Sequence, residues 1–244
     1  MDVAEGRLLD LVEGRDSGPA AQWLEERGAE WRAQIRYASL DMSGPYRKVF
    51  NDKLPDATQV VDPFHLVKLA GEKLDEVRRR VQQETTGHRG HKQDPLYRIR
   101  RLLVMAQDRL DESSETKLRG LLAAGDPNGE VTVAWHAKEA VRSLYEHQDA
   151  ELALAWVDQL SADLRERTNP PEIRQLGRTL RQWRTQIAAW HEAKTTNART
   201  ETINGLANRI KRVAFGMTNF RNWRIRVLLY AGRPDWTKLE TVTP

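Results

Sequence analysis

Apolar positions change their period along this chain. Over the first sixty residues they fall in short runs bounded by turn residues. One is Leu8-Leu9-Asp10-Leu11-Val12, after a Glu5-Gly6 turn; another is Ile35-Arg36-Tyr37-Ala38-Ser39-Leu40, ending in Asp41; a third is Thr58-Gln59-Val60-Val61, ending in Asp62. Runs of this length and composition predict strands. Between the first two, Ser17-Gly18-Pro19 opens a helix, with Ser17 as cap, Pro19 in the first turn, and Trp23, Leu24 and Trp31 on its apolar side. Pro45 to Leu54 predicts a short helix before the third run. The order strand, helix, strand, helix, strand implies a parallel sheet with helices packed on it. The start of the chain reads as the second half of a hairpin whose partner strand is nearly all missing, which suggests a truncated reading frame.

After Phe64 the period is helical throughout. Leu66, Leu69, Ala70, Leu74 and Val77 share one side of a helix. Further helices are expected near 95–111, 114–123, 130–147, 150–166 and 171–193, broken by Gly125-Asp126-Pro127-Asn128-Gly129 and Thr168-Asn169-Pro170-Pro171. Gly87 to Lys92 predicts a basic loop, in which His88 and His91 form only a weak metal pair. Trp183, Ile187 and Trp190 share a face that favours core packing over base stacking, and core packing is also favoured for Trp135. Arg233-Pro234-Asp235 ends the last helix and Thr241 to Pro244 is expected to be a loose tail.

Charge adds a direction to this outline. The formal net charge is only +4, but the segment from Lys194 to Arg233 carries nine Lys and Arg against one acid, Glu201, a local +8 that leaves −4 for the remainder. A second basic stretch holds Arg78, Arg79, Arg80, Arg89, Lys92, Arg98, Arg100 and Arg101. Cations clustered beside an acidic remainder suit a polyanion, with phosphate first in mind, although solvated helix faces give the same pattern. The absence of cysteine excludes disulfides and thiolate zinc sites. No run is long and apolar enough to span a bilayer, and no glycine-rich phosphate loop or Ser/His/Asp arrangement is visible.

The segment Asn197 to Arg212 carries the most chemistry. At helical spacing Glu201, Asn204, Asn208 and Arg212 share one stripe, while Ile203, Leu206, Ile210 and Val213 lie opposite. A lone acid among cations is either an ordinary exposed glutamate or a carboxylate that holds a divalent ion against phosphate. Asp41, at the C-terminal end of a parallel strand, lies where α/β sheets build their sites, or else caps the Pro45 helix.

Asp41 to Lys48, Asp62 to Leu69, Asn197 to Arg212 and Arg212 to Asn222 together resemble, in order and over nearly the whole chain, the insertion-sequence transposases of the ISL-three branch. The resemblance implies a ribonuclease H-like DDE domain that cuts and joins DNA with two Mg²⁺ or Mn²⁺ ions. Asp41 matches its second Asp and Glu201 its final Glu, the two being both catalytic and metal-binding; Asp62 and His65 match a supporting Asp-x-x-His signature. Asn204 and Asn208 are supporting residues, and Arg199, Arg209, Lys211, Arg212, Arg221 and Arg224 are candidate DNA ligands. The implied fold is α/β with an all-α insertion: a truncated ribonuclease H-like sheet lacking its first strand, predominantly helical overall. The core occupies 1–65 and 195–233, the insertion 66–194 and the tail 234–244. The family's first Asp and its cysteine zinc and helix-turn-helix region have no counterpart in the sequence, so metals are expected to bind weakly or not at all and the chain to be inactive alone. Expected partners are transposon ends, target DNA, a second copy or full-length transposase, with no membrane or small-molecule substrate, in a bacterial cytoplasm near the nucleoid. The rival reading is a non-catalytic DNA-binding or transposase-inhibiting fragment.

Overall fold

The structure is a computed structural model that describes residues 1–234 apart from Arg15 and His147. The chain is mostly helical, with one small two-stranded parallel sheet among the described residues. It divides into two compact units, Met1–Gln59 with the segment from Lys194 onward, and Val60–Ala193. The expected loose tail at Thr241 to Pro244 lies outside the described residues, as do Asp235 at the end of the last helix and the final residue of the 130–147 helix.

The first unit contains helices α1 (Gly18–Glu25) and α2 (Ala29–Ala33), strand β1 (Tyr37–Leu40) and helix α3 (Gly44–Lys53). Gly28, at φ 71°, splits the single helix expected from the Trp23–Trp31 pattern into two, and those indoles meet edge to face at 5.7 Å. Leu24, Ala38, Val49 and Leu54 form one apolar cluster, with Trp23, Trp31 and Ile35 packed against it. Strand β2 (Thr58–Val61) begins in this unit, where the Thr58 amide donates to the Arg36 carbonyl at 2.9 Å.

The strand expected at Leu8–Val12 is not formed. Asp2 and Arg7 make a single antiparallel bridge, and the Leu8 amide donates to the Ala231 carbonyl at 3.0 Å. A strand needs a ladder of partners. Here the Leu8 donor is used up at the end of a helix, and residues 8–12 form no regular element.

The second unit is helical: α4 (Pro63–Thr86), α5 (Pro95–Arg98), α6 (Arg100–Val104), α7 (Glu112–Gly125), α8 (Glu130–Ser143), α9 (Ala150–Leu164), α10 (Pro171–Ala188) and α11 (Trp190–Ala193). Helix α4 follows directly from its sequence. Asp62 caps it, Pro63 fills its first turn, Leu66, Ala70, Leu74, Val77 and Val81 bury one side, and Gly87 at φ 74° ends it. It packs on α8 and α10, and α10 packs most heavily on α9. Trp135 and Trp183 are both core side chains.

The helix expected over 95–111 is broken into α5, α6 and a 3₁₀ turn at Gln107–Arg109. The cause of the stop after α6 is distant in sequence. The buried Lys138 ammonium donates to the Leu103 carbonyl at 2.8 Å and to that of Met105, so it satisfies the end of α6 and lets the chain turn extended at Met105. Glu139 stands beside that ammonium, and burial lowers the lysine pKa against this opposing carboxylate.

The first unit is completed by α12 (Ala198–Val213) and α13 (Phe220–Ala231). Leu8, Ala207, Val227 and Ala231 form its second apolar cluster, with Ile203, Leu206, Ile210, Trp223 and Leu228 packed around them. Val213, expected on the same apolar side, is 73% exposed because it is the last residue of α12 and has passed the edge of the cluster.

Candidate functional site

Two carboxylates from opposite ends of the sequence define the candidate site in the first unit. Asp41 follows the last residue of β1 and is exposed. The cap position of α3 belongs to Ser43, not to Asp41. Glu201 lies in the first turn of α12 and is also exposed.

The link between them is Asn197. This buried residue occupies the cap position of α12, where asparagine usually accepts from the helix's own first amides. Its side chain makes no such bond and instead donates through Nδ2 to Asp41 Oδ1 at 3.0 Å, across 156 residues of sequence. The Glu201 amide donates to the Asn197 carbonyl at 2.9 Å. Glu201 therefore lies one helical turn, about 6 Å of axis, beyond the residue that touches Asp41, and on the same helical face. The strand-end acid also sits at the positive end of α12, which favours a negative charge.

Asn197 was not singled out in the sequence, though the signal is present: it stands four residues before Glu201 and extends the stripe through Asn204 and Asn208 toward Arg212. All three of those later side chains are exposed. Among the described residues no group of three or more His, Asp or Glu stands together as a metal site.

Asp62 and His65 belong to the second unit. Asp62 is 3% exposed and its Oδ1 accepts the Phe64 amide at 2.7 Å, so it carries a structural load as the α4 cap. The His65 ring meets the Phe64 ring edge to face at 5.5 Å. In the basic loop of that unit, the His88 and His91 rings lie 4.3 Å apart and His88 Nδ1 accepts the Gly90 amide.

The basic candidates of the first unit divide by what they touch. Arg224 clasps Asp10 with Nε at 2.7 Å and Nη2 at 2.9 Å. That pair, helped by the Trp23 indole and the Leu11 amide and opposed by burial, holds the Asp10 carboxyl at about 2. Arg199 donates to the carbonyls of Val3 and Ala4. These two guanidinium groups are engaged within the fold. Arg209, Lys211, Arg212 and Arg221 are exposed, and among the described residues no carboxylate pairs with them. No helix of the described residues is long and apolar enough to cross a membrane.

A family model described as a transposase, of the DDE type and ISL3 branch, matches residues 1–227. Two curated relatives from strains of Mycobacterium tuberculosis, each named as a transposase for insertion sequence element IS1557, are 38% identical over 81 residues. The match takes in 33% of this chain and spans only 18% of the length of those relatives. No solved structure matches the chain.

Proposed function

Because the chain belongs to the ISL3 family of DDE transposases, we propose that it works on DNA, contributing Asp41 and Glu201 to a phosphodiester-cutting site and a basic α12–α13 surface that grips the backbone. The observation that carries this reading is the Asn197–Asp41 bond, which ties the start of the Glu201 helix to the end of β1. The ribonuclease H-like assignment of 1–65 with 195–233, interrupted by a helical 66–194 insertion, draws support from the division of the chain after Gln59 and before Lys194. In this reading Asn204 and Asn208 line the approach to Glu201. Arg209, Lys211, Arg212 and Arg221 meet phosphate, and Asp62 and His65 support the insertion's first helix.

Mg²⁺ or Mn²⁺ suits hard carboxylate oxygens. Asp41 and Glu201 are two ligands, and no third acid joins them in a group among the described residues. The residues present do not complete a two-ion site. We propose that this chain binds DNA without strand transfer of its own, with DNA ends, target DNA and a second or longer transposase chain as partners.

The test uses the 244-residue chain on end-containing and unrelated duplexes. Expected is binding whose affinity falls steeply with salt, by a slope of about 0.9 per phosphate contact in a double-logarithmic plot, and no nicking with Mg²⁺ or Mn²⁺. Metal-dependent nicking abolished by Glu201→Gln would overturn the inactivity. Absence of any salt-sensitive binding would overturn the DNA reading.

A further inference from the structure

The end of α12 presents an aromatic ring in an unusual way. The Gly216 amide donates to the Lys211 carbonyl and the Phe215 amide to that of Arg212, both at 3.0 Å, which closes the helix in a two-bond C-terminal stop. Such a stop needs a left-handed residue directly after the cap, a place glycine normally fills. In this chain Phe215 fills it, at φ 52°, and glycine comes one residue later at φ 90°. Bulky side chains are rare in that conformation, and an outlier of this kind is a reason to look for a function.

The ring gains nothing from the fold. Phe215 is 101% exposed. Its aromatic neighbours behave otherwise: the Trp223 indole donates to the Ala207 carbonyl at 3.1 Å and packs on the second apolar cluster, and the Phe220 ring lies 5.8 Å from it. Within six residues of Phe215 along the chain lie the exposed cations Arg209, Lys211, Arg212 and Arg221, and the sequence holds no acid between Glu201 and Asp235. A bare ring on a stretch of chain rich in exposed cations matches one partner chemistry well. A nucleic-acid strand offers phosphates to the cations and the flat face of a base to the ring.

We propose that Phe215 is a DNA-stacking residue, which packs on a base that is exposed or opened in DNA held by the α12–α13 surface. This inference rests on the DNA reading above and adds a specific contact to it. The strained backbone holds the ring outward so that it need not be ordered on binding.

The experiment titrates the full chain into duplexes carrying 2-aminopurine, with and without an unpaired base opposite, and compares wild type with Phe215→Gly and Phe215→Trp. Glycine suits the left-handed position, so Phe215→Gly should melt no lower than wild type. It should bind about tenfold more weakly, the loss of roughly one base stack, with an unchanged salt slope and no aminopurine signal. Phe215→Trp should restore both affinity and signal. Salt-sensitive binding with equal affinity and signal in wild type and Phe215→Gly would overturn this inference while leaving the DNA reading standing. So would a Phe215→Gly variant that loses self-association alone. Failure of wild type to bind DNA at all would remove both.

Discussion

Replacing Asp10 with asparagine strikes the point where the first unit is pinned together. Its carboxylate accepts the Leu11 amide at 2.7 Å, the Trp23 indole at 2.8 Å, and Arg224 through Nε at 2.7 Å and Nη2 at 2.9 Å, with Arg27 Nη2 at 3.5 Å. Arg224 is the main cause of its lowered pKa, which falls from the ordinary 3.8 to about 2. A displacement of nearly two pH units corresponds to roughly 2.5 kcal/mol at 1.36 kcal/mol per unit. The Arg224 side chain is 39% exposed, so solvent screening reduces the expected contribution to about 1.5 kcal/mol. The sign follows from the depressed value. The contribution is present in full above the unfolded pKa near 4 and is lost as pH falls from there toward 2. Urea unfolding of wild type and Asp10→Asn, followed by tryptophan fluorescence, should therefore differ by about 1.5 kcal/mol at pH 7 and converge near pH 2. Taking the difference between the two proteins cancels the other acids that titrate in this range. A gap below about 0.5 kcal/mol at pH 7, or one that persists unchanged at pH 2, would refute the reasoning.

Two further substitutions test packing and site geometry. At Gly177 an added Cβ would lie 2.9 Å from Arg165 Cγ, 3.0 Å from Leu164 Cβ and 3.1 Å from the Ser161 carbonyl oxygen. Gly177→Ala should lower stability by about 1 kcal/mol even after alanine's helix preference is credited, and a raised melting temperature would show that α9 and α10 are not in close contact there. Asn197→Asp would set a second carboxylate about 3 Å from Asp41, costing about 1–2 kcal/mol at pH 7 for partly exposed charges and less below pH 4. Mg²⁺ should raise the melting temperature of this variant more than that of wild type, because three acids then share the site; an equal response in both would separate Asp41 from Glu201.

What the sequence disclosed depended on the range of the interaction responsible. The acids closing β1 and β2 and the apolar period of α4 were legible because each pattern repeats over a few neighbouring residues, although Asp62 as the cap of α4 was not. The end of α6 was not, since the ammonium that takes the Leu103 carbonyl comes from Lys138, 35 residues on. The Leu8–Val12 run has a strand's own pattern, whereas its first donor is claimed by Ala231, more than 200 residues on. Charge alone marked Arg199 and Arg224 as phosphate ligands, yet charge does not record a partner, and both are engaged inside the fold. Sequence does not mark Asn197, because a neutral amide at a helix start is so often only a cap; here its bond leaves the helix altogether.

These long-range contacts also say what holds the two acids in place. The Asn197–Asp41 bond joins residues 156 apart and involves an exposed carboxylate, so its own contribution is about 1.5–3 kcal/mol at most. Closing a flexible loop of that size costs roughly 4–5 kcal/mol. The bond can set the final orientation of Asp41 but cannot by itself bring α12 to β1. The larger force must come from the two apolar clusters, one built on Leu8, Ala207, Val227 and Ala231, the other on Leu24, Ala38, Val49 and Leu54. Asp10 is the polar pin between them, since Trp23 packs on the Leu24 cluster while Arg224 rises from α13 beside the Leu8 cluster. The acid pair therefore inherits its geometry from a carboxylate that takes no part in it. Loosening Asp10 should blur the Asn197–Asp41 contact before it unfolds either cluster.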